Sequence, residues 1–288
     1  MRRAGAALLI FATLAFVAST LIYALRPAGL SMDESIGRAI PTELGARFGE
    51  ADASLLDLSA LFIRPRVLAM SLLIVMTWTA LSGHALRRLV ELRRLRAAER
   101  VARREAPPSL NDDIFGPPTP DQMLERHKMD DTLTEHGLLS TGLAAGAIWP
   151  WLMDSRPTAA LLFAGIMLTG FLGAALRGTR DGMQVRQSAA LGFAAGWATL
   201  ATCALFATIL QKQLGASQTL AAAIGILIAA LASVSIQLRL GPNISYSVAV
   251  IWGMIGIAAG SVAAQATLAT MAVLGIAVIA VALVRVTT

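Results

Sequence analysis

Residues 187–210, QSAALGFAAGWATLATCALFATIL, run for 24 residues without an Asp, Glu, Lys or Arg. An α-helix rises about 1.5 Å per residue, so about 20 residues cross the hydrocarbon layer of a bilayer. A lone segment in lipid has no water to satisfy its backbone, and only the helix pairs its N–H and C=O groups internally. The stretch therefore reads as a transmembrane helix, and the rest of the chain repeats it. Eight such runs, each of 17 or more residues, occupy 4–25, 67–86, 137–153, 158–176, 187–210, 214–238, 244–264 and 266–284. The expected fold is all-α, a polytopic transmembrane bundle of about eight spans.

Composition agrees. Hydrophobic residues are 56% of the 288 and charged residues 15%, against about 25% charged in a soluble domain. Mean hydropathy is +0.66. The net charge of +6 and a pI near 10.6 would on their own admit a nucleic-acid partner. Their placement argues against one, because the basic residues gather at the ends of apolar runs, where orientation signals sit. With a cytoplasmic N-terminus, 17 of the 24 basic residues fall on the cytoplasmic side and 7 on the other. Both termini are accordingly assigned to the cytoplasm. Only Lys128 and Lys212 are lysines. This Arg and Ala bias points to a GC-rich bacterial genome, and with it to the inner membrane. Cys203, the one cysteine, can form neither an intrachain disulfide nor a Cys-based metal site.

Three parts follow from the charge pattern. Residues 1–86 form a two-span hairpin around the mixed-charge loop 26–66, a short cap on the bundle. The first apolar run is about 22 residues, longer than the 7–15 of a signal core, and reads as a retained anchor. Residues 87–136 form a cytoplasmic segment. It opens with Arg87, Arg88, Arg93, Arg94, Arg96, Arg100, Arg103 and Arg104 among leucines near helical spacing. This reads as a helix that leaves the bilayer and continues along or away from its surface. Anionic lipid headgroups attract such residues at roughly 1 kcal/mol per charge. A Pro-rich linker (106–120) and a short helix to about His136 follow, started by Thr119 and Pro120. His127, Asp131 and Glu135 on that helix are spaced by four and read as a solvated face; no metal site is expected. Residues 137–288 form a six-helix bundle whose short connections force antiparallel neighbours.

No span interior carries a charged residue, which argues against an ion-coupled transporter. No phosphate loop, His-Glu-x-x-His or nucleophile elbow is present, so a non-enzymatic protein without a cofactor is expected. Gly142/Gly146, Gly192/Gly196 and Gly256/Gly260 are each four apart and mark faces for close helix packing. Thr199, Thr202, Thr208, Ser233 and Ser235 are expected to bond back to their own helices. His84, Trp149 and Trp151 are expected at the membrane interface. Trp197, Tyr246, Trp252 and Asn243, with Gln237, lie deeper. They either line a pocket for a flat apolar ligand or pack ring into gap.

LGFAAGWATLATCALFATIL (191–210) and ISYSVAVIWGMIGIAAG (244–260) resemble the later helices of the tryptophan-rich sensory proteins, relatives of the translocator protein. Gly196, Trp197, Thr199, Tyr246, Trp252, Gly256 and Ile257 carry the resemblance, which extends over 187–285. It implies an all-helical bundle that binds porphyrin-like or other apolar molecules. Three functions are in competition: a ligand-binding sensory or regulatory protein, an assembly subunit docking through 87–136, and a passive small-molecule transporter.

Overall fold

The computed structural model describes residues 2–26, 58–65, 67–105, 137–177, 188–241, 243–261 and 265–287. The linker, the short helix with His127, Asp131 and Glu135, and most of the 26–66 loop lie outside them. The described elements are α1 (Arg2–Leu25), α2 (Leu58–Leu61), α3 (Leu68–Glu105), α4 (137–152), α5 (Pro157–Arg177), α6 (Ala189–Lys212), α7 (Gln218–Leu240), α8 (Ile244–Ser261) and α9 (Ala266–Thr287). Among the described residues all regular structure is helical. Seven helices, α1, α3 and α5–α9, are long and apolar enough to cross a membrane. The eighth run, α4, has a described helix of 16 residues, about 24 Å long. It lies antiparallel along α5: Gly142 abuts Gly170, Leu138 meets Gly173 and Gly146 meets Met167. It therefore covers most of the depth that α5 does.

The bundle is organised around α6. Buried residues make up 78% of that span, against 28–50% of the others. Helices α5, α7, α8, α3 and α2 all pack on it. Small residues make this crowding possible, since lipid supplies no hydrophobic drive between helices and close backbone contact must replace it. A Cβ on Gly196 would stand 2.6 Å from the Tyr246 carbonyl oxygen, and one on Gly225 3.1 Å from that of Cys203. A Cβ on Gly170 would stand 2.7 Å from Gly142 Cα. The three glycine pairs read from the sequence do face neighbouring helices, although Gly260 has ordinary clearance, 3.5 Å from Val67.

Polar groups inside the spans close on their own helices. Thr199, Thr202, Thr208 and Ser235 donate to the carbonyls of Ala195, Ala198, Ala204 and Leu231 at 2.8–3.1 Å. Ser233 differs: it is fully buried and accepts from Tyr246.

Two of the residues expected at the membrane interface are turned into the bundle. Trp151 is 43% exposed, as expected, but Trp149 is fully buried. Pro150 lies between them on the helix, and two residues turn it by about 200°, so the rings point to different sides. His84 is also buried, and its Nδ1 lies 3.0 Å from Ser188 Oγ, joining α3 to the start of α6.

The end of the bundle near Leu25 is clasped by side chains. The Arg64 guanidinium lies 4.3 Å above the Tyr23 ring and donates from Nε to the Tyr23 carbonyl at 3.1 Å. Tyr23 donates to Asp154 at 3.3 Å. Trp151 meets Tyr23 edge-on and donates to Ser19 at 2.8 Å. Beside this clasp Leu58, Ser59, Leu61, Phe62 and Ile63 are all buried. The last part of the 26–66 loop is thus inserted into the bundle rather than laid upon it.

Candidate functional site between the first halves of α6 and α8 and the last half of α7

Helix α7 ends at Gly241, whose φ of +64° favours glycine and turns the chain toward α8. Asn243 then caps α8. Its Oδ1 accepts from Ser245 N at 3.3 Å and from Ser245 Oγ at 2.5 Å. Gln237, fully buried, braces this hairpin: its Nε2 donates to Gly241 O at 2.8 Å and Asn243 O at 3.3 Å, and its Oε1 accepts from Ser247 at 2.7 Å. One turn along α8, Tyr246 is fully buried with its hydroxyl donating to Ser233 at 3.4 Å and lying 3.1 Å from Thr199 Oγ1. A set of polar groups from α6, α7 and α8 is thereby paired within the bundle, where each unpaired group is costly, with Asn243 Nδ2 the exception.

The four predicted ligand residues do not share one set of neighbours. Asn243 and Tyr246 belong to the polar set just described. Trp197 is buried on another face of α6, edge-on to Phe16 of α1 with centroids 5.9 Å apart. Phe16 in turn stands edge-on to Phe171 at 6.1 Å. The Trp197 indole N–H has no acceptor, nor does that of Trp149. Trp252 is half-buried and turns to α3, donating to Ala69 O at 2.8 Å.

Two signals were missed from the sequence. Phe16 stands in an unremarkable apolar run, and nothing local marks it as the partner of Trp197. Ser233 and Ser247 look like any hydroxyl in a span until α7 and α8 are folded together.

The arginines lie on α3, which passes from the bilayer segment Leu68–Val90 to Glu105 without a break. Arg87, Arg93 and Arg94 are exposed and Arg88 half-buried. Leu86, Arg87, Val90 and Arg94 line an open groove on this part of the helix. Arg96, Arg100, Arg103 and Arg104 follow along the same helix, their side chains outside the described set. The 15 residues past Val90 extend it by about 22 Å.

A family model described as TSPO-like protein matches residues 124–285, more than half of the chain. The match reaches upstream of the 187–285 resemblance to include α4 and α5, leaving α1–α3 outside. No curated protein and no solved structure matches the chain. The matched region takes in the six helices α4–α9, with α6 at their centre, and the chain is a multi-pass membrane protein that belongs to the TSPO-like protein family.

Proposed function

We propose that this protein is a non-enzymatic component of a bacterial inner membrane, with both termini cytoplasmic, whose C-terminal bundle binds a flat hydrophobic molecule of porphyrin type in a sensory or regulatory role. The observation that carries the reading is the Trp197 indole, buried edge-on to the Phe16 ring with its N–H unpaired. An unpaired buried donor is costly, and a ring-shaped ligand bearing an acceptor would satisfy it while replacing ring–ring contacts in kind. Family membership supports the same class of ligand. Titration of the purified protein with a porphyrin, followed by tryptophan fluorescence, should give a saturable change. Trp197→Phe, which keeps a ring but removes the donor, should weaken binding by about tenfold. The absence of saturation, or equal binding by the variant, would defeat the reading.

A second reading, an assembly subunit docking through 87–136, is favoured by the unbroken course of α3 beyond the bilayer segment. Arg87, Arg88, Arg93 and Arg94 sit near enough to the span to meet anionic headgroups; Arg96, Arg100, Arg103 and Arg104 reach further toward a partner. Pull-down from solubilised membranes with the full chain and with 106–136 deleted would separate the readings. Identical partners for both would count against docking.

A further inference from the structure

Helices α6 and α8 start at the same end of the bundle and run parallel. Gly192 faces Asn243 and Ser245, and Gly196 faces Tyr246 and Ala249, so the offset in residue number stays near 50 along the pair. Each N-terminus carries about half a positive charge from its aligned peptide dipoles. Side by side these partial charges reinforce one another, and neither first turn holds an acidic residue to offset them.

The donors at this junction are unevenly used. Asn243 presents Oδ1 to both the N–H and the hydroxyl of Ser245. The backbone N–H can only donate, which fixes Oδ1 toward it and turns Nδ2 away. That Nδ2 is buried, in a residue 7% exposed, and has no acceptor. It lies against the first turn of α6: a Cβ on Gly192 would be 2.8 Å from it. The α6 cap residue, Ser188, does not turn its hydroxyl to its own helix but to His84. Two helix starts and one orphaned amide donor thus converge with no anionic partner among the described residues, while Ser188 and Ser245 are partly exposed and leave an approach from outside.

We propose that the joint start of α6 and α8 is an oxyanion site, with Asn243 Nδ2 as its inner donor, that takes a phosphate group at the membrane surface. The group comes from a lipid headgroup or from inorganic phosphate; both offer the acceptor oxygens and negative charge that helix starts attract. This inference does not depend on the porphyrin reading, and either can fail alone.

The test uses the full chain. In maltoside micelles, which carry no phosphate, inorganic phosphate is titrated against chloride at equal ionic strength. In a second arm, phosphatidylglycerol is added to the micelles. The readouts are the melting temperature and the Asn243 side-chain amide resonance. Asn243→Asp is the informative variant, since it keeps the oxygen that caps α8 and replaces the donor with a repelling one. Response in the first arm assigns the site to free phosphate, and response in the second alone to a lipid headgroup. In either case the amide resonance should shift, and Asn243→Asp should weaken the response by about tenfold or more. Wild-type protein indifferent to both phosphate sources, an unmoved amide resonance, or an undiminished response in the variant would overturn the site. The resonance in the wild type decides the matter even if the variant does not fold.

Discussion

Glycines in the TSPO-like region meet two kinds of neighbour. Within that region, three glycines bring helix to helix through backbone: Gly170 on Gly142 and Leu138, Gly196 on the Tyr246 carbonyl, Gly225 on the Cys203 carbonyl; Gly192 and Gly253 meet side chains of Asn243, Ser245 and Leu200. Where the extra N-terminal helices join, a large side chain fills the space above a glycine instead: Phe16 above Gly146 and Met70 above Gly256. The first contact fixes two backbones against each other. The second is a knob in a hole and gives by a shift of the side chain or of the helix that bears it. The backbone contacts of Gly170, Gly196 and Gly225 are thus rigid joints inside the family region, while α1 and α3 are attached by adaptable ones.

One added methyl group at each kind of contact tests this contrast. Alanine in place of helical glycine gains about 1 kcal/mol from backbone entropy, and overpacking costs about 1–3 kcal/mol. At Gly196 the new Cβ meets a carbonyl oxygen at 2.6 Å that cannot move without shifting α8. Gly196→Ala should therefore show the largest loss, roughly 2 kcal/mol net or failure to recover folded protein, read by unfolding in detergent micelles. Gly146→Ala presses on the stiff Phe16 ring at 2.8 Å. It should displace α1, costing about 1 kcal/mol and raising hydrogen exchange in α1 alone. Tyr246→Phe removes the hydroxyl shared with Thr199 and Ser233, and about 1 kcal/mol of stability with it, by the same unfolding assay. Gly256→Ala presses on the flexible Met70 thioether at 2.8–2.9 Å. Its strain and its entropy gain should nearly cancel, leaving stability within about 0.5 kcal/mol of wild type. A loss at Gly256 equal to that at Gly196 would erase the distinction between the two kinds of joint.

How far the sequence revealed this arrangement depends on the length scale of each signal. Spans were legible because a run such as 187–210 excludes charge over its whole length. The packing faces of Gly142, Gly192 and Gly196 were legible because spacing by four is a local property of one helix. Gly170, Gly225 and Gly253 escaped, since no second glycine four residues away marks them and each meets its partner on another helix. The same reason hid the contact between Phe16 and Trp197. The burial of Trp149 could not be read beside exposed Trp151, because composition near a span end does not say which way a ring turns. Of the site, Asn243 and Tyr246 were marked by their polarity among apolar neighbours. Their division from Trp197 and Trp252 depends on how α6 is turned between α1 and α8, which no single stretch encodes.

The uninterrupted course of α3 makes it a torsion shaft. Met70 is keyed into α8 at one end and the arginines emerge at the other, with no Pro or Gly after Gly83 to absorb twist. Each residue added or removed between Val90 and Arg93 would rotate everything beyond by about 100°. Any turn imposed where Met70 meets Gly256 would reach the outer arginines as a change of bearing, so this helix can carry a message from inside the bundle to the water on one side.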